Sequence, residues 1–272
     1  MSVTCRFVKL TDDTYTIQEN HDDAQNDRTF YRDCLSLKTH RRSFPMSPPS
    51  DISESDRAIL ARIACFTMTS VERQIALIDA TRYVVRRRIP GSLVECGVWR
   101  GGSVMAALLT LIDEGVMDRD VYLYDTCSGM TPPVDVDKTF DGTLARTHLE
   151  RDVSRTGYWC VAHLDEVRRN VLSTGYPEHQ IHFVKGPVEE TLPTCSPTDA
   201  VALLRLDTDW YESTKHELTH LFPKVSQGGV VIVDDYGHWQ GAKLAVDEFL
   251  QQSSDVYYLH RIDYTGRLLI KS

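Results

Sequence analysis

The chain has 272 residues, of which 42% are hydrophobic, enough for one large domain or two small ones. Its formal net charge of -9 excludes non-specific binding to nucleic acid or an anionic membrane, because both partners carry charge of the same sign. Its seven cysteines are odd in number and include no C-x-x-C pair, so neither a disulfide framework nor a zinc site is indicated.

The N-terminal part, residues 1–54, is polar and ends in a proline-rich stretch at residues 43–50 that is typical of a boundary. We interpret it as an arm that serves as a lid or a dimer contact, and residues 55–272 as the main domain. It has no apolar segment of the kind that directs secretion, and no apolar run approaches the length of a bilayer span. We therefore expect a cytoplasmic protein that forms a homo-oligomer and has no membrane partner.

The main domain begins with a helical pattern over residues 56–88, after which short apolar runs alternate with helical stretches. Strands are predicted at residues 92–96, 121–124, 181–184, 200–206 and 229–233, and helices at 103–113, 164–173, 212–222 and 242–251. Two last runs, 256–261 and 267–271, flank a turn and predict an antiparallel pair. The alternation predicts an α/β fold: a mostly parallel sheet with helices on both faces and ligands beyond the carboxyl ends of the strands.

One long segment, residues 127–158, interrupts this alternation and has only a short helical pattern near residues 144–151. Loops of this length in a compact domain are usually functional or disordered. It follows the second strand of the predicted sheet, next to the expected ligand crevice. We interpret it as a lid, and a solvated insertion is the alternative.

The turn after the first strand has the features of a ligand site. Glu95 lies at the strand end, Gly97 follows, and a helix begins near Ser103. Glycine lets the backbone approach a ligand closely, and a helix N-terminus can hold a carboxylate. Together with an acid that can pair with an ammonium group, these features suit an amino acid-like ligand. A plain strand-to-helix turn is the alternative, and the spacing is not the dinucleotide pattern G-x-G-x-x-G.

The next strand ends in Asp125, where a carboxylate can accept hydrogen bonds from two ribose hydroxyls. A solvated strand terminus is the alternative for this residue taken alone. Combined with the glycine turn, Asp125 favours a nucleoside ligand.

Two later strands end in pairs of acids, Asp207 with Asp209 and Asp234 with Asp235. Carboxylates gathered at one point repel one another unless a cation intervenes, and hard oxygen ligands suit magnesium, calcium or manganese rather than zinc. The alternative is separate solvated acids, paired with residues such as Arg205 or Lys243.

One histidine, His238, follows the second acidic pair and is a candidate for catalysis, although a lone histidine is more often structural. The serines form no G-x-S-x-G elbow, so a hydrolase triad is not supported.

These motifs together resemble the macrocin/mycinamicin-type (TylF-like) sugar O-methyltransferases of natural-product biosynthesis, a family that includes the novobiocin noviose methyltransferase. The resemblance spans about residue 66 to the C-terminus. It rests on the segment Val94-Glu95-Cys96-Gly97-Val98-Trp99-Arg100-Gly101-Gly102, Asp125 with Gly129, Leu206-Asp207-Thr208-Asp209, Gly228-Gly229 and Asp234-Asp235-Tyr236.

The resemblance implies a class I methyltransferase fold of the Rossmann-like type, S-adenosyl-L-methionine as methyl donor and Mg²⁺ (or Mn²⁺) as cofactor. It implies metal ligation by Asp209, Asp234 and Asp235, with Asp209 also acting as the base and Asp207 as a structural residue. The residues implied for cofactor binding are Thr67, Met68, Glu95, Cys96, Gly97, Ser103, Asp125, Gly186 and Pro187. The acceptor implied is a small molecule, a glycosylated natural product of antibiotic biosynthesis.

The chemistry follows from how weakly acidic a sugar hydroxyl is. A divalent cation lowers the pKa of an oxygen that it binds, and a neighbouring carboxylate can take the proton. Two alternatives stay open: a catechol-type methyltransferase acting on an aromatic diol, and a non-catalytic nucleoside-binding protein. The second would keep Glu95 and Asp125 but would not need the later acids.

Overall fold

The computed structural model describes residues 6–11 and 14–18 as backbone, and residues 49–153, 157–197 and 200–272 with their side chains. The chain divides into two compact units, Met1–Ser47 and Pro48–Ser272. In the first unit, β1 (Arg6–Thr11) pairs antiparallel with β2 (Thr14–Gln18). The role predicted for residues 1–54 falls mostly on residues outside this description and stays a prediction.

The second unit alternates strands and helices as the sequence predicts. Its strands are β3 (Ser92–Cys96), β4 (Val121–Asp125), β5 (Ile181–Lys185), β6 (Val201–Leu206), β7 (Val225–Val233), β8 (His260–Arg261) and β9 (Arg267–Ile270). Its helices are α1 (Glu54–Ile63), α2 (Val71–Arg86), α3 (Gly102–Asp113), α4 (Ala145–Arg151), α5 (Leu164–Leu172), α6 (Val188–Thr191), α7 (Tyr211–Leu221) and α8 (Gln240–Gln252). Among the described residues, no helix has both the length and the apolar composition needed to cross a bilayer.

The seven strands of this unit form one sheet in the order β5-β4-β3-β6-β7-β9-β8. The first five are parallel, whereas β9 runs antiparallel to β7 and β8 antiparallel to β9. This confirms the predicted mostly parallel sheet with an antiparallel C-terminal end. From β3 the chain adds β4 and β5 on one side and then β6 and β7 on the other, so the direction of winding changes next to β3. Ligands in such sheets bind beyond the carboxyl ends of the strands at this change of direction.

The core lies on both faces of the sheet, because β3 and β6 are buried along their whole length. Side chains alternate between the faces, so Leu203 packs with helices α1, α2, α3 and α5 while Leu204 packs with α7 and α8. Each fully buried aliphatic side chain of this kind contributes about 1.5–3 kcal/mol. Two buried faces fix the register of the central strands, and with it the positions of the residues at their ends.

The segment of residues 127–158 is packed against the domain in its described part. Thr139 forms an isolated β-bridge with Trp239, and the backbone N–H of Gln240 donates to the carbonyl of Lys138 at 2.7 Å. At the base of the segment, the N–H of Met130 donates to the carbonyl of Trp159 at 3.1 Å. The segment forms a wall beside the carboxyl edge of the sheet, and its opening and closing stay a prediction.

Candidate active site

A cavity of about 490 Å³ lies beyond the carboxyl ends of β3, β4, β6 and β7. With one exception, every residue predicted for the site lines it: Thr67, Met68, Glu95, Gly97, Ser103, Asp125, Gly186, Pro187, Asp209, Asp234, Asp235 and His238. The exception is Cys96, whose side chain is fully buried in the cluster between the sheet and α7. Because neighbours in a strand point to opposite faces, Glu95 reaches the cavity and Cys96 does not. A cofactor contact of Cys96 stays a prediction, and in this structure it would involve the backbone of Cys96 rather than its buried side chain.

The turn between β3 and α3 comes close to two other segments of backbone. A Cβ on Gly97, whose φ is +83°, would lie 1.9 Å from the carbonyl oxygen of Asp207. A Cβ on Gly102 would lie 2.5 Å from the carbonyl oxygen of Phe66, which accepts the N–H of Gly102 at 3.0 Å. These contacts hold Thr67 beside the N-terminus of α3, which carries no side-chain cap. The uncapped helix end faces a cavity suited to a carboxylate.

Asp125, at the end of β4, organises this turn. Its Oδ2 accepts the backbone N–H groups of Val98 and Trp99 at 2.7 and 2.9 Å, and its Oδ1 accepts the N–H of Cys127 at 2.7 Å. Burial raises the pKa of the Asp125 carboxyl, and these three hydrogen bonds oppose that rise. The two oxygens offer about four acceptor sites in all. Capacity therefore remains for a ligand hydroxyl, and the ribose contact stays a prediction.

Three carboxylates meet at the ends of β6 and β7. Each of Asp207, Asp234 and Asp235 offers one oxygen, and these oxygens lie within 4.8 Å of one another. The predicted set had Asp209 in place of Asp207. Asp209 has a left-handed backbone conformation, with φ of 68°, and its N–H donates to Oδ2 of Asp235 at 3.1 Å. Its carboxyl contacts Asp235 and Trp239, so Asp209 lies beside the group of three rather than within it.

Two arginines lie within this acidic region, and the sequence pointed only to Arg205. The buried guanidinium of Arg205 donates to Glu95 and Asp207 at 2.7 Å and to Asp234 at 2.5 Å. Arg73, from α2, donates to Asp234 and, at 3.0 Å, to Asp263. The ion pairs with Arg205 that we named as the alternative to a metal site are thus present for Asp207 and Asp234.

The arginines do not balance the acids around them. Two guanidinium groups face a larger number of carboxylates, which leaves a formal excess of negative charge; the acids that line the cavity are Glu95, Asp125, Glu189, Asp207, Asp209, Asp234 and Asp235. Burial raises the pKa of Asp209 and of Glu95 to about 7, and it raises those of Asp207 and Asp235 well above the usual value. An all-oxygen set with surplus negative charge is what Mg²⁺ and Mn²⁺ favour, so the residues present fit such an ion.

His238 lies at the mouth of the cavity, where its Nδ1 and the hydroxyl of Tyr264 are 2.8 Å apart. Burial lowers the pKa of His238, which favours the neutral ring. No sequence pattern connects these two residues, which are 26 positions apart and come from different turns.

A buried acid behind the site, Glu217 on α7, was also missed. Its Oε1 accepts the hydroxyl of Thr208 at 3.0 Å, beneath the loop that carries Asp207 and Asp209. Burial raises the pKa of Glu217 well above its usual value. No sequence signal distinguishes Glu217 from the exposed acids of other helices.

Comparison with known proteins agrees with this geometry. The family model described as Macrocin-O-methyltransferase (TylF) matches residues 7–271. Demethyldecarbamoylnovobiocin O-methyltransferase of Streptomyces niveus is 37% identical over 200 residues, covering 74% of this chain and 73% of its own. Mycinamicin III 3''-O-methyltransferase of Micromonospora griseorubida is 33% identical over 170 residues, covering 62% of this chain and 65% of its own.

Solved structures resemble the chain in the same way. The O-methyltransferase NovP superposes with a TM-score of 0.66 at 36% identity, covering 76% of this chain and 82% of that one. The calicheamicin methyltransferase CalS11 shares the fold, with a TM-score of 0.60 at 18% identity over 92% of this chain and 94% of that one. This chain therefore belongs to the TylF macrocin O-methyltransferase family and is an S-adenosylmethionine-dependent O-methyltransferase.

Proposed function

We propose that the protein transfers the methyl group of S-adenosylmethionine to a sugar hydroxyl of a glycosylated natural product, with Mg²⁺ (or Mn²⁺) as cofactor. The observation that carries this proposal is one cavity that joins the glycine turn and Asp125 to the carboxylates of Asp207, Asp234 and Asp235. A relative from Streptomyces olivaceus, 37% identical over 170 residues, is named as a 4'-O-methyltransferase of a rhamnosyl-tetracenomycin. That name supports a sugar acceptor.

The donor is held by the glycine turn in this proposal. The uncapped N-terminus of α3, near Thr67 and Ser103, would hold its carboxylate, because the helix dipole favours an anion. Glu95 would bind its ammonium group, Asp125 its ribose, and Gly186 and Pro187 its adenine; all four residues line the same cavity.

Asp207, Asp234 and Asp235 would hold the cation through their clustered carboxylate oxygens. When bound, it lowers the pKa of the acceptor hydroxyl and offsets the repulsion among these carboxylates. Arg205 holds Asp207 and Asp234 from behind through two guanidinium nitrogens, which fixes the direction in which their remaining oxygens point.

Asp209 takes the proton of the acceptor hydroxyl. It lies beside the three ligands, contacts Trp239, and has a pKa raised by burial to about 7, in the range that suits a general base at neutral pH. Neutral His238, oriented by Tyr264, presents its second ring nitrogen as a partner for an acceptor hydroxyl. Positioning donor and acceptor together supplies much of the remaining rate enhancement.

A transfer assay tests the proposal against both alternatives. The protein is incubated with methyl-labelled S-adenosylmethionine and either a panel of natural-product glycosides or a panel of catechols, with Mg²⁺ or with EDTA. We expect label in glycosides only, lost in EDTA and restored by Mg²⁺. Label in catechols alone would support the catechol-type enzyme, and binding of donor without any transfer would support the nucleoside-binding protein.

The proposal includes two further predictions, one about a segment beside the cavity and one about the oligomeric state. Residues 127–158 are expected to close over the ligands, and the protein is expected to form a homo-oligomer. Limited proteolysis with and without S-adenosylhomocysteine tests the first, and light scattering tests the second.

A further inference from the structure

We propose that Phe140, His238 and Tyr264, here called the mouth patch, form a subsite for an apolar ring system joined to the acceptor sugar. This inference rests on the proposed function, and it adds the residues that recognise the part of the acceptor beyond the reacting sugar. It assigns a role to Phe140, a large side chain that the proposed mechanism does not use, and a second role to Tyr264, which contacts His238.

The three rings of the mouth patch lie against one another although they come from three separate turns. The ring centroid of Phe140 is 5.9 Å from that of His238 and 6.4 Å from that of Tyr264, the second pair being nearly perpendicular. The ring centroids of His238 and Tyr264 are 6.0 Å apart. Phe140 is nevertheless 67% exposed and Tyr264 59% exposed. The rings of Phe140 and Tyr264 therefore keep exposed faces on which a ligand ring can stack.

Phe140 is held in this exposed position by a well-bonded turn. The carboxylate of Asp141 accepts the hydroxyl of Thr139 at 2.6 Å and the N–H of Thr143 at 3.0 Å. The N–H of Gly142 donates to the carbonyl of Thr139 at 2.9 Å, and Thr139 also bridges to Trp239. Because the backbone around Phe140 is already ordered, covering its ring with a ligand requires little further loss of conformational entropy.

Tyr264 is held equally firmly in the turn between β8 and β9. Oδ1 of Asp263 accepts the N–H groups of Thr265 and Gly266 at 2.9 and 2.6 Å. The Thr265 hydroxyl donates to the carbonyl of Asp234 at 2.7 Å. The tyrosine is thus fixed by bonds to the strand end that carries a proposed metal ligand.

The mouth patch continues directly into the catalytic cavity. His238 and Tyr264 both line the cavity, and the N–H of His238 donates to the carbonyl of Asp235 at 3.0 Å. An acceptor whose sugar lies at the carboxylates therefore extends past these rings as it leaves the cavity.

The charged residues of the cavity indicate what kind of group is joined to the acceptor sugar at the mouth patch. Among the described residues that line it, Arg73 is the one lysine or arginine, and it is already paired with Asp234 and Asp263. A nucleoside diphosphate would find no unpaired lysine or arginine for its phosphates among the described residues of these walls. An uncharged aromatic or polycyclic ring can instead stack on the patch. The occupant that fits is a neutral apolar ring system.

The test compares glycosides that differ only in their aglycone. Dissociation constants are measured by titration calorimetry, with S-adenosylhomocysteine and Mg²⁺ present, for matched 4-nitrophenyl and methyl hexopyranosides and for UDP-glucose. We expect each aryl glycoside to bind more tightly than its methyl partner. Phe140→Ala should reduce this preference by about 3- to 10-fold, the range of one aromatic contact, without changing the binding of methyl glycosides.

Two further variants control for loss of structure. Phe140→Tyr should keep the preference because it keeps the ring. Tyr258→Ala should also keep it, since Tyr258 is 82% exposed and does not line the cavity. If Phe140→Ala keeps the full preference for aryl over methyl glycosides, or if UDP-glucose binds more tightly than methyl glucoside, the proposed subsite is wrong while the proposed function is unaffected. If no glycoside binds or is methylated while catechols are, the proposed function is wrong and the subsite with it.

Discussion

The carboxylate of Asp137 accepts a hydrogen bond of 2.8 Å from the backbone N–H of Tyr211, the first residue of α7. Its other oxygen accepts the N–H of Val134 at 2.7 Å, and the side chain is fully buried. Helix α7 has no cap from its own Trp210, so the segment of residues 127–158 supplies the missing acceptor. The acid also complements the positive end of the helix dipole. The wall of the cavity is thereby tied to the helix that follows the Asp209 loop.

Removing this tie should destabilise the protein. We expect Asp137→Ala to lower the free energy of unfolding by about 1–2 kcal/mol, the range for loss of a helix cap, and to increase proteolysis within residues 127–153. Urea denaturation measures the first effect. The control is Asp135→Ala, because the side chain of Asp135 is 88% exposed and its ion pair with Arg146 lies at the surface. Equal stability of the two variants would contradict the role of Asp137.

The buried carboxyl of Glu217 should make stability depend on pH. Burial raises its folded-state pKa well above the usual 4.5, so the unfolded chain loses this proton at lower pH than the folded chain. Above pH 4.5 the folded state therefore binds more protons, and the contribution of this group to stability falls as pH rises. Glu217→Gln removes that loss. We expect the variant to gain stability over the wild type from pH 5 to pH 8, as measured by urea denaturation, whereas a constant difference would exclude this account.

Asp125 should control donor binding through the turn that it organises. Asp125→Ala removes the acceptor of three backbone N–H groups, and hydrogen bonds to a charged group are each worth roughly 1.5–3 kcal/mol. We expect at least about tenfold weaker binding of S-adenosylhomocysteine by calorimetry. Asp118→Ala, at an exposed position before the same strand, is the control. Equal affinity of both variants would count against the assignment of the donor site.

The proposed base should appear in the pH dependence of turnover. Because the pKa of Asp209 is raised to about 7, its carboxyl is protonated below that pH and unable to accept a proton. With subsaturating Mg²⁺, kcat/KM should rise with pH around 7, and saturating Mg²⁺ should move the midpoint to lower pH because a cation favours the ionised form. Asp209→Asn should lower kcat by roughly 10²–10⁴-fold. If the midpoint of the pH profile of kcat/KM does not change with Mg²⁺ concentration, Asp209 is not the base.

Most of the fold was predictable from sequence, because local patterns determine it. Apolar runs of strand length and helical periodicity placed β3 to β7 and their helices close to their observed bounds. The rule that strand ends meet at one edge then brought Asp125, Asp234 and Asp235 to one cavity.

The parts that could not be predicted depend on backbone direction and on distant contacts. Asp207 and Asp209 follow the same strand two positions apart, and no local sequence pattern shows that Asp207 is the one grouped with Asp234 and Asp235. Arg73 lies 161 residues before its partner Asp234, so no local pattern reveals the pair. Glu95 and Cys96 belong to one motif, but neighbours in a strand point to opposite faces, so Glu95 lines the cavity and the Cys96 side chain packs in the core.

The most direct test of the central claim is the binding of Mn²⁺, followed by electron paramagnetic resonance, in the presence of S-adenosylhomocysteine. We expect one ion per chain in the wild type and its loss in Asp207→Asn, because Asp207 belongs to the group of three carboxylates. Asp209→Asn should retain the ion while losing turnover. If the wild type binds no ion, or if Asp207→Asn binds it as tightly as the wild type, the proposed metal centre is contradicted.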